Sequence, residues 1–300
     1  MKTMSIRRKL AIATWRAPRE GNIYGRIALD TEEVQRYLAW VRQTTGEKVT
    51  LTAFVGACVA RALACTPSLN GRIWLGRYIP HETVSLSFLV ALEEGGDLGK
   101  AKVERADELG PEGIARELSE RARMLQQGKD EAFNKSKGAI RLLPTWLLRP
   151  MLRWVGWLGA CGGFSIPALG VEPYPFGTAI ITSIGMLGID EGLVPPTPFA
   201  HVPLYVCIGA ERRVATEWEG ELALRSQVVI TATIDHRYID GYQIGALAKL
   251  LRELFGNPWA FSGMDGAPAE LGAGEGGSAV EGEAPVMEAA MATVTETATA

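Results

Sequence analysis

Asp235-His236-Arg237-Tyr238-Ile239-Asp240-Gly241 is the stretch on which the reading of this chain turns. Just upstream, Val228, Ile230, Ala232 and Ile234 alternate with Val229, Thr231, Thr233 and Asp235, the period-2 pattern of a strand. Just downstream, Ile244, Leu247, Ala248, Leu251 and Leu254 recur at helical spacing, so a helix is expected to begin near Gly241. His236 therefore falls in a short strand-to-helix turn, where a rigid frame can present it to a substrate. Histidine is the side chain that changes charge nearest neutral pH, which suits it to general-base work. The plainer reading is structural: a lone His at a strand end can be a hydrogen-bonded framework residue, and Asp240 before Gly241 fits a helix N-cap.

Working outward, residues 23–30 read as a strand, and Asp30-Thr31-Glu32-Glu33 as the start of a helix with Val34, Leu38 and Val41 on one face. Thr50 or Thr52 is placed to cap a second helix carrying Phe54, Val55, Cys58, Val59, Ala62 and Leu63. Strands are expected at 73–78, 83–92, 204–210 and 213–218, with Glu219-Gly220 as a tight turn before Leu222. Residues 111–127 read as a surface helix with Ile114, Leu118, Ala122 and Leu125 facing inward. Helices alternating with strands predict an α/β domain, one sheet covered by helices.

The 300 residues carry a formal net charge of −3, which with no nucleic-acid-reading motif points away from DNA or RNA. The four cysteines form no C-x-x-C pair, and His81, His201 and His236 are isolated, so no metal site is expected. Cys58 and Cys65 lie seven apart on one apolar helical face and read as core thiols. Reduced thiols and the lack of a secretion signal predict a cytoplasmic protein. Residues 263–300, rich in Ala, Gly and Glu, predict a disordered tail, leaving 1–262 as the folded domain. Between these lies an apolar insertion at about 139–176. Its core, 140–160, holds Trp146, Trp154 and Trp157 with Arg141, Arg149 and Arg153, and Pro144 and Pro150 are expected to break it into short helices. Prolines and arginines inside the run disfavour a membrane span. Such an element can lie on a membrane surface, line an acyl-chain pocket, or pack on the body or a subunit contact.

His-x-x-x-Asp-Gly, preceded by Asp and set between a strand and an amphipathic helix, resembles the active-site signature of the chloramphenicol acetyltransferase superfamily. It is most similar to the catalytic domain of the 2-oxoacid dehydrogenase acyltransferases. The run from Gly177 through Thr182, Ser183 and Gly185 to Gly188 resembles that family's second signature, with Thr182 at the family's serine position and Ser183 where asparagine is common. Arg7-Arg8-Lys9-Leu10-Ala11 is similar to its opening motif, and 49–70, ending at Pro67-Ser68-Leu69-Asn70, matches in kind. The likeness covers roughly residues 4–257. Three features depart from it. No lipoyl domain or swinging linker precedes the motif region, so a stand-alone form is expected. The segment Glu93-Glu94-Gly95-Gly96-Asp97-Leu98-Gly99-Lys100 replaces the family's Val-Pro run, and 139–176 is longer and more apolar than the family's connection.

The resemblance implies a chloramphenicol acetyltransferase-like fold, a two-layer sandwich of a mixed sheet covered by helices, assembled as trimers with sites between subunits. It implies acyl transfer from a coenzyme A thioester to a thiol, hydroxyl or amine, without metal, and with no lipoyl attachment site in this chain. His236 would be the base and Thr182 the oxyanion donor, with Ser183 as fallback and Ser183 and Gly185 against the substrate. Asp240 completes the catalytic set as support for the turn, paired with Arg7, and Gly241 allows close packing. Partners implied are acyl-CoA, further copies of the chain, and a lipoyl-bearing chain in trans. Two other readings remain: a non-catalytic scaffold of the same fold, and a membrane-peripheral lipid acyltransferase using 140–160.

Overall fold

The computed structural model describes residues 21–92, 97–127 and 143–268. The opening motif with Arg7 and most of the expected tail lie outside the described residues. Nine strands and five α-helices occur among those described.

The sheet forms around one long strand. β9 (Glu221–Asp235) pairs antiparallel along its second half with β1 (Asn22–Asp30) on one side and β7 (Leu204–Ile208) on the other. Its first half pairs with β8 (Arg212–Trp218) through a turn at Glu219 and Gly220, both at positive φ. Beyond β7 follow β6 (Ala179–Ser183), β4 (Leu86–Leu92) and β5 (Asp97–Val103), in the order β1-β9-β7-β6-β4-β5. The β7–β6 and β6–β4 pairings are parallel and the others antiparallel, so the sheet is mixed as expected. A separate hairpin joins β2 (Gly71–Trp74) to β3 (Arg77–Pro80).

One face of the sheet is covered by helices. α1 (Glu32–Thr45) starts where Asp30 Oδ1 accepts the Glu32 N–H at 3.0 Å, carries Glu32 and Glu33 in its first turn, and ends at left-handed Gly46. Its buried stripe is Val34, Tyr37, Leu38 and Val41. α2 (Leu51–Ala64) is capped by Thr50, whose hydroxyl accepts the Ala53 N–H at 3.3 Å, and is buried on nearly every side. A Cβ at Gly56 would sit 2.6 Å from the Phe88 ring, so glycine lets α2 approach β4. α3 (Pro111–Gln126) buries Ile114 and Leu125, and α5 (Gly241–Gly256) joins the layer where Phe255 meets Phe54 edge-on at 5.3 Å. The opposite face is covered by the connection before β7, where Ala200 and Val202 pack on Ile180 and Tyr205.

Several expectations are corrected. The strand read at 73–78 is the β2–β3 hairpin, its turn made by Leu75 and Gly76 at φ 50° and 76°. β5 is a strand without a counterpart among the expected ones, beginning within the segment that departs from the family's Val-Pro run, and β9 begins seven residues earlier than its apolar pattern suggests, because its first half is an exposed ribbon with β8. Pro150 does not break the insertion: it lies inside α4 (Thr145–Gly156), which loses only the bond Pro150 cannot donate and runs on into a wider π-turn at Trp157–Cys161. Cys58 is buried, but Cys65, at the end of α2, is exposed. No described helix is long and apolar enough to cross a membrane.

Candidate functional site

The turn after β9 is held from several sides. The Asp235 N–H bonds to the Pro203 carbonyl at 2.9 Å, and the His236 N–H reaches the Gly21 carbonyl at 3.3 Å. Asp235 accepts from the Arg237 N–H at 3.0 Å and pairs with the Arg237 guanidinium, so the two residues flanking His236 close on each other. Tyr238 turns inward, its hydroxyl accepting the Ile73 N–H at 3.2 Å, and burial pushes that phenol up to about 12. Asp240 caps α5: its carboxylate accepts the Tyr242 N–H at 3.0 Å while the Gln243 side chain accepts the Asp240 N–H at 3.0 Å.

Within this frame His236 is exposed, and its Nδ1 lies 2.8 Å from the Ile239 carbonyl oxygen. A carbonyl oxygen only accepts, so Nδ1 carries the proton in the neutral ring and Nε2 keeps its lone pair. The neutral ring thus keeps Nε2 as its acceptor nitrogen.

His201 and Cys161 lie near the same turn. Burial, with Arg237 and Arg153 nearby, holds His201 below the usual histidine range, and burial raises the Cys161 thiol against the pull of Arg237 and Arg72. The sequence showed these only as isolated residues. Asp235, Arg237 and Tyr238 stand in the opening stretch itself, but their partners Pro203 and Ile73 come from remote segments.

Thr182 and Ser183 end β6, half-buried, with Gly185 in the following turn. A Cβ at Gly185 would be 2.7 Å from the Gly209 carbonyl, so this turn needs glycine to lie against the end of β7. Arg212 holds the turn by donating to Asp190 at 2.7 Å and to the Gly188 carbonyl at 3.1 Å. Thr182 stands abreast of Cys207, which stands abreast of Thr231. Asp235 lies four residues farther along β9, about 13 Å at the usual rise, and two strand spacings add about 10 Å across. One chain therefore keeps Thr182 and His236 apart at opposite ends of the sheet.

The description "2-oxoacid dehydrogenases acyltransferase (catalytic domain)" fits residues 23–140 and 169–262 of this chain. The chain belongs to this acyltransferase family. The dihydrolipoyllysine-residue acetyltransferase component of the acetoin cleaving system of Bacillus subtilis is 25% identical over 217 residues, 72% of this chain and 43% of that protein. The chain thus spans less than half the length of that relative. Among solved structures, a probable dihydrolipoamide acetyltransferase from Listeria monocytogenes superposes with a TM-score of 0.60 at 21% identity, covering 84% of this chain and 89% of the other. The dihydrolipoamide acetyltransferase of Azotobacter vinelandii gives 0.58 at 16%, covering 81% and 84%. The gap in the family match, 141–168, contains the whole of α4.

Proposed function

We propose that this acyltransferase-family chain moves an acyl group from a coenzyme A thioester to a thiol, hydroxyl or amine acceptor, with His236 as general base. The observation that carries the reading is the 2.8 Å bond between His236 Nδ1 and the Ile239 carbonyl, which leaves Nε2 as the acceptor nitrogen on an exposed ring. Nε2 takes the acceptor's proton as the acceptor atom attacks the thioester carbonyl carbon. The resulting oxyanion needs a preorganised donor, and the Thr182 hydroxyl is the residue for that role. Collapse breaks the carbon–sulfur bond, and the imidazolium returns its proton to the departing CoA thiolate. Because one chain separates Thr182 from His236, the donor and the base of one site come from two copies, which fits a closed ring such as a trimer.

Support for the residue set comes from the Azotobacter enzyme, whose structure addresses a serine, a histidine and an asparagine in its mechanism. Its histidine and asparagine are four positions apart, as are His236 and Asp240. Asp240 acts here through the cap of α5, and the acceptor includes a lipoyl group carried by another chain. The test is CoA release from a panel of acyl-CoAs with simple thiol acceptors. His236→Ala should lower turnover about 100- to 10,000-fold while calorimetry still detects CoA binding. Equal turnover in both proteins sinks the mechanism, and absent CoA binding by an intact oligomer favours a non-catalytic scaffold.

A further inference from the structure

A cleft of about 1530 Å³ opens on the sheet face away from the helical layer, beside β4 and β5. That exceeds the roughly 300–1,000 Å³ of ordinary small-molecule sites. Its roof is the inserted helix, with Leu152 and Val155 of α4 turned into it, and α4 is the part of the chain outside the family match. Opposite, Phe176 meets Phe199 with ring centres 6.0 Å apart, so this part of the cleft is apolar.

The lining also carries charged side chains, and most of that charge is already answered. The Lys102 ammonium bonds to Glu104 at 2.9 Å, Lys100 donates to the Pro175 carbonyl at 2.5 Å, and Arg105 grips Glu108. Arg121 lies beside Glu117 at 4.0 Å, and Glu82 and Glu172 also border the space. Arg72 differs. Its guanidinium lies over the Tyr174 ring at 4.7 Å, and its Nε is buried with no hydrogen-bond partner among the described residues. His81 rests edge-on against the same ring at 4.9 Å, a second polar ring at the same place. A buried guanidinium N–H without an acceptor is unfavourable, and the fork of arginine matches the two oxygens of a carboxylate.

We propose that this cleft binds an amphipathic organic acid, with its carboxylate on the Arg72 fork and its apolar chain between α4 and Phe176. Neither His236 nor Thr182 of the same chain lines the cleft, and the binding test below reads no acyl-transfer turnover.

Isothermal titration of the full chain with decanoate, decanol and acetate tests this. Decanoate should bind saturably, and decanol and acetate at least about tenfold more weakly, since each lacks one half of the recognition. Arg72→Gln should weaken decanoate about tenfold or more and leave decanol unchanged, while Leu152→Trp, which fills the apolar part, should weaken both. The proposal is overturned if wild type shows no saturable decanoate binding, if decanol binds as tightly, or if Arg72→Gln keeps full affinity. Should Arg72→Gln fail to fold, Arg72→Lys retains the charge without the fork, and undiminished decanoate affinity in that variant overturns it equally.

Discussion

His81 shows how much of a residue's chemistry is set by what packs against it. Burial lowers its imidazole to about 4, and the positive charges of Arg72 and Lys102 push the same way. The ring is therefore neutral in the folded chain over a range where an unfolded chain's histidine takes up a proton. The unfolded state binds more protons between the ordinary histidine value of 6.5 and about 4. Stability attributable to this residue is complete above that window and falls as the pH drops through it. Discounted for partial exposure, the effect should be modest. His81→Gln should lose roughly 2–4 °C less in melting temperature than wild type when the pH is lowered from neutral to the acid end of that window. Parallel losses in the two proteins would show that His81 is not held neutral. Nothing in the sequence around His81 announces this, because Arg72 comes from β2, Lys102 from β5 and the Tyr174 ring from a segment some ninety residues away.

At the scale of elements, α5 is the part the sequence made most legible. Asp240 before Gly241 and the apolar spacing that follows place a cap and a helix start, and the structure forms that cap and adds the Gln243 side chain as its second half. Asp240→Ala should therefore cost about 0.5–2 kcal/mol in urea unfolding, while Asp240→Asn, which keeps a capping oxygen, should stay near wild type. An Asn variant as unstable as the Ala variant would mean that the charge, not the cap, matters. Other elements were harder to read for physical reasons. The first half of β9 has Leu222 and Leu224 in solvent, so no buried face imposes a period there. The β2–β3 turn uses Leu75 at positive φ, where Asn-Gly or Asp-Gly would have signalled a hairpin. In α4, Leu148 is buried while Trp146 and Trp154 are 76% and 65% exposed, so its apolar run serves two faces and its period is blurred. Pro150 is on its exposed side, where a missing amide bond displaces no packing.

The whole molecule adds what neither residues nor elements contain, which is the distance between the two motifs. Sequence likeness pairs His236 and Thr182 as base and oxyanion donor of a site between subunits, and the β6–β7–β9 register puts them well over 10 Å apart in one chain. Hydrogen-bond reach is about 3 Å, so a shared site requires two chains, each giving a different end of its sheet to its neighbour. A contact of that kind is heterologous, and it makes a ring where the rotation closes. His236→Ala and Thr182→Ala homo-oligomers should each be nearly inactive. Denatured together in equal amounts and refolded, they should form mixed rings. A working site then needs its histidine from a Thr182→Ala chain and its threonine from a His236→Ala chain, which random mixing supplies at about one quarter of the contacts. Turnover of acyl-CoA by the refolded mixture should thus recover to roughly a quarter of the refolded wild type, whereas mixing the two without refolding should recover nothing. Mixed oligomers that form but remain inactive would place both roles within one chain, and an active Thr182→Ala homo-oligomer would remove Thr182 from the reaction.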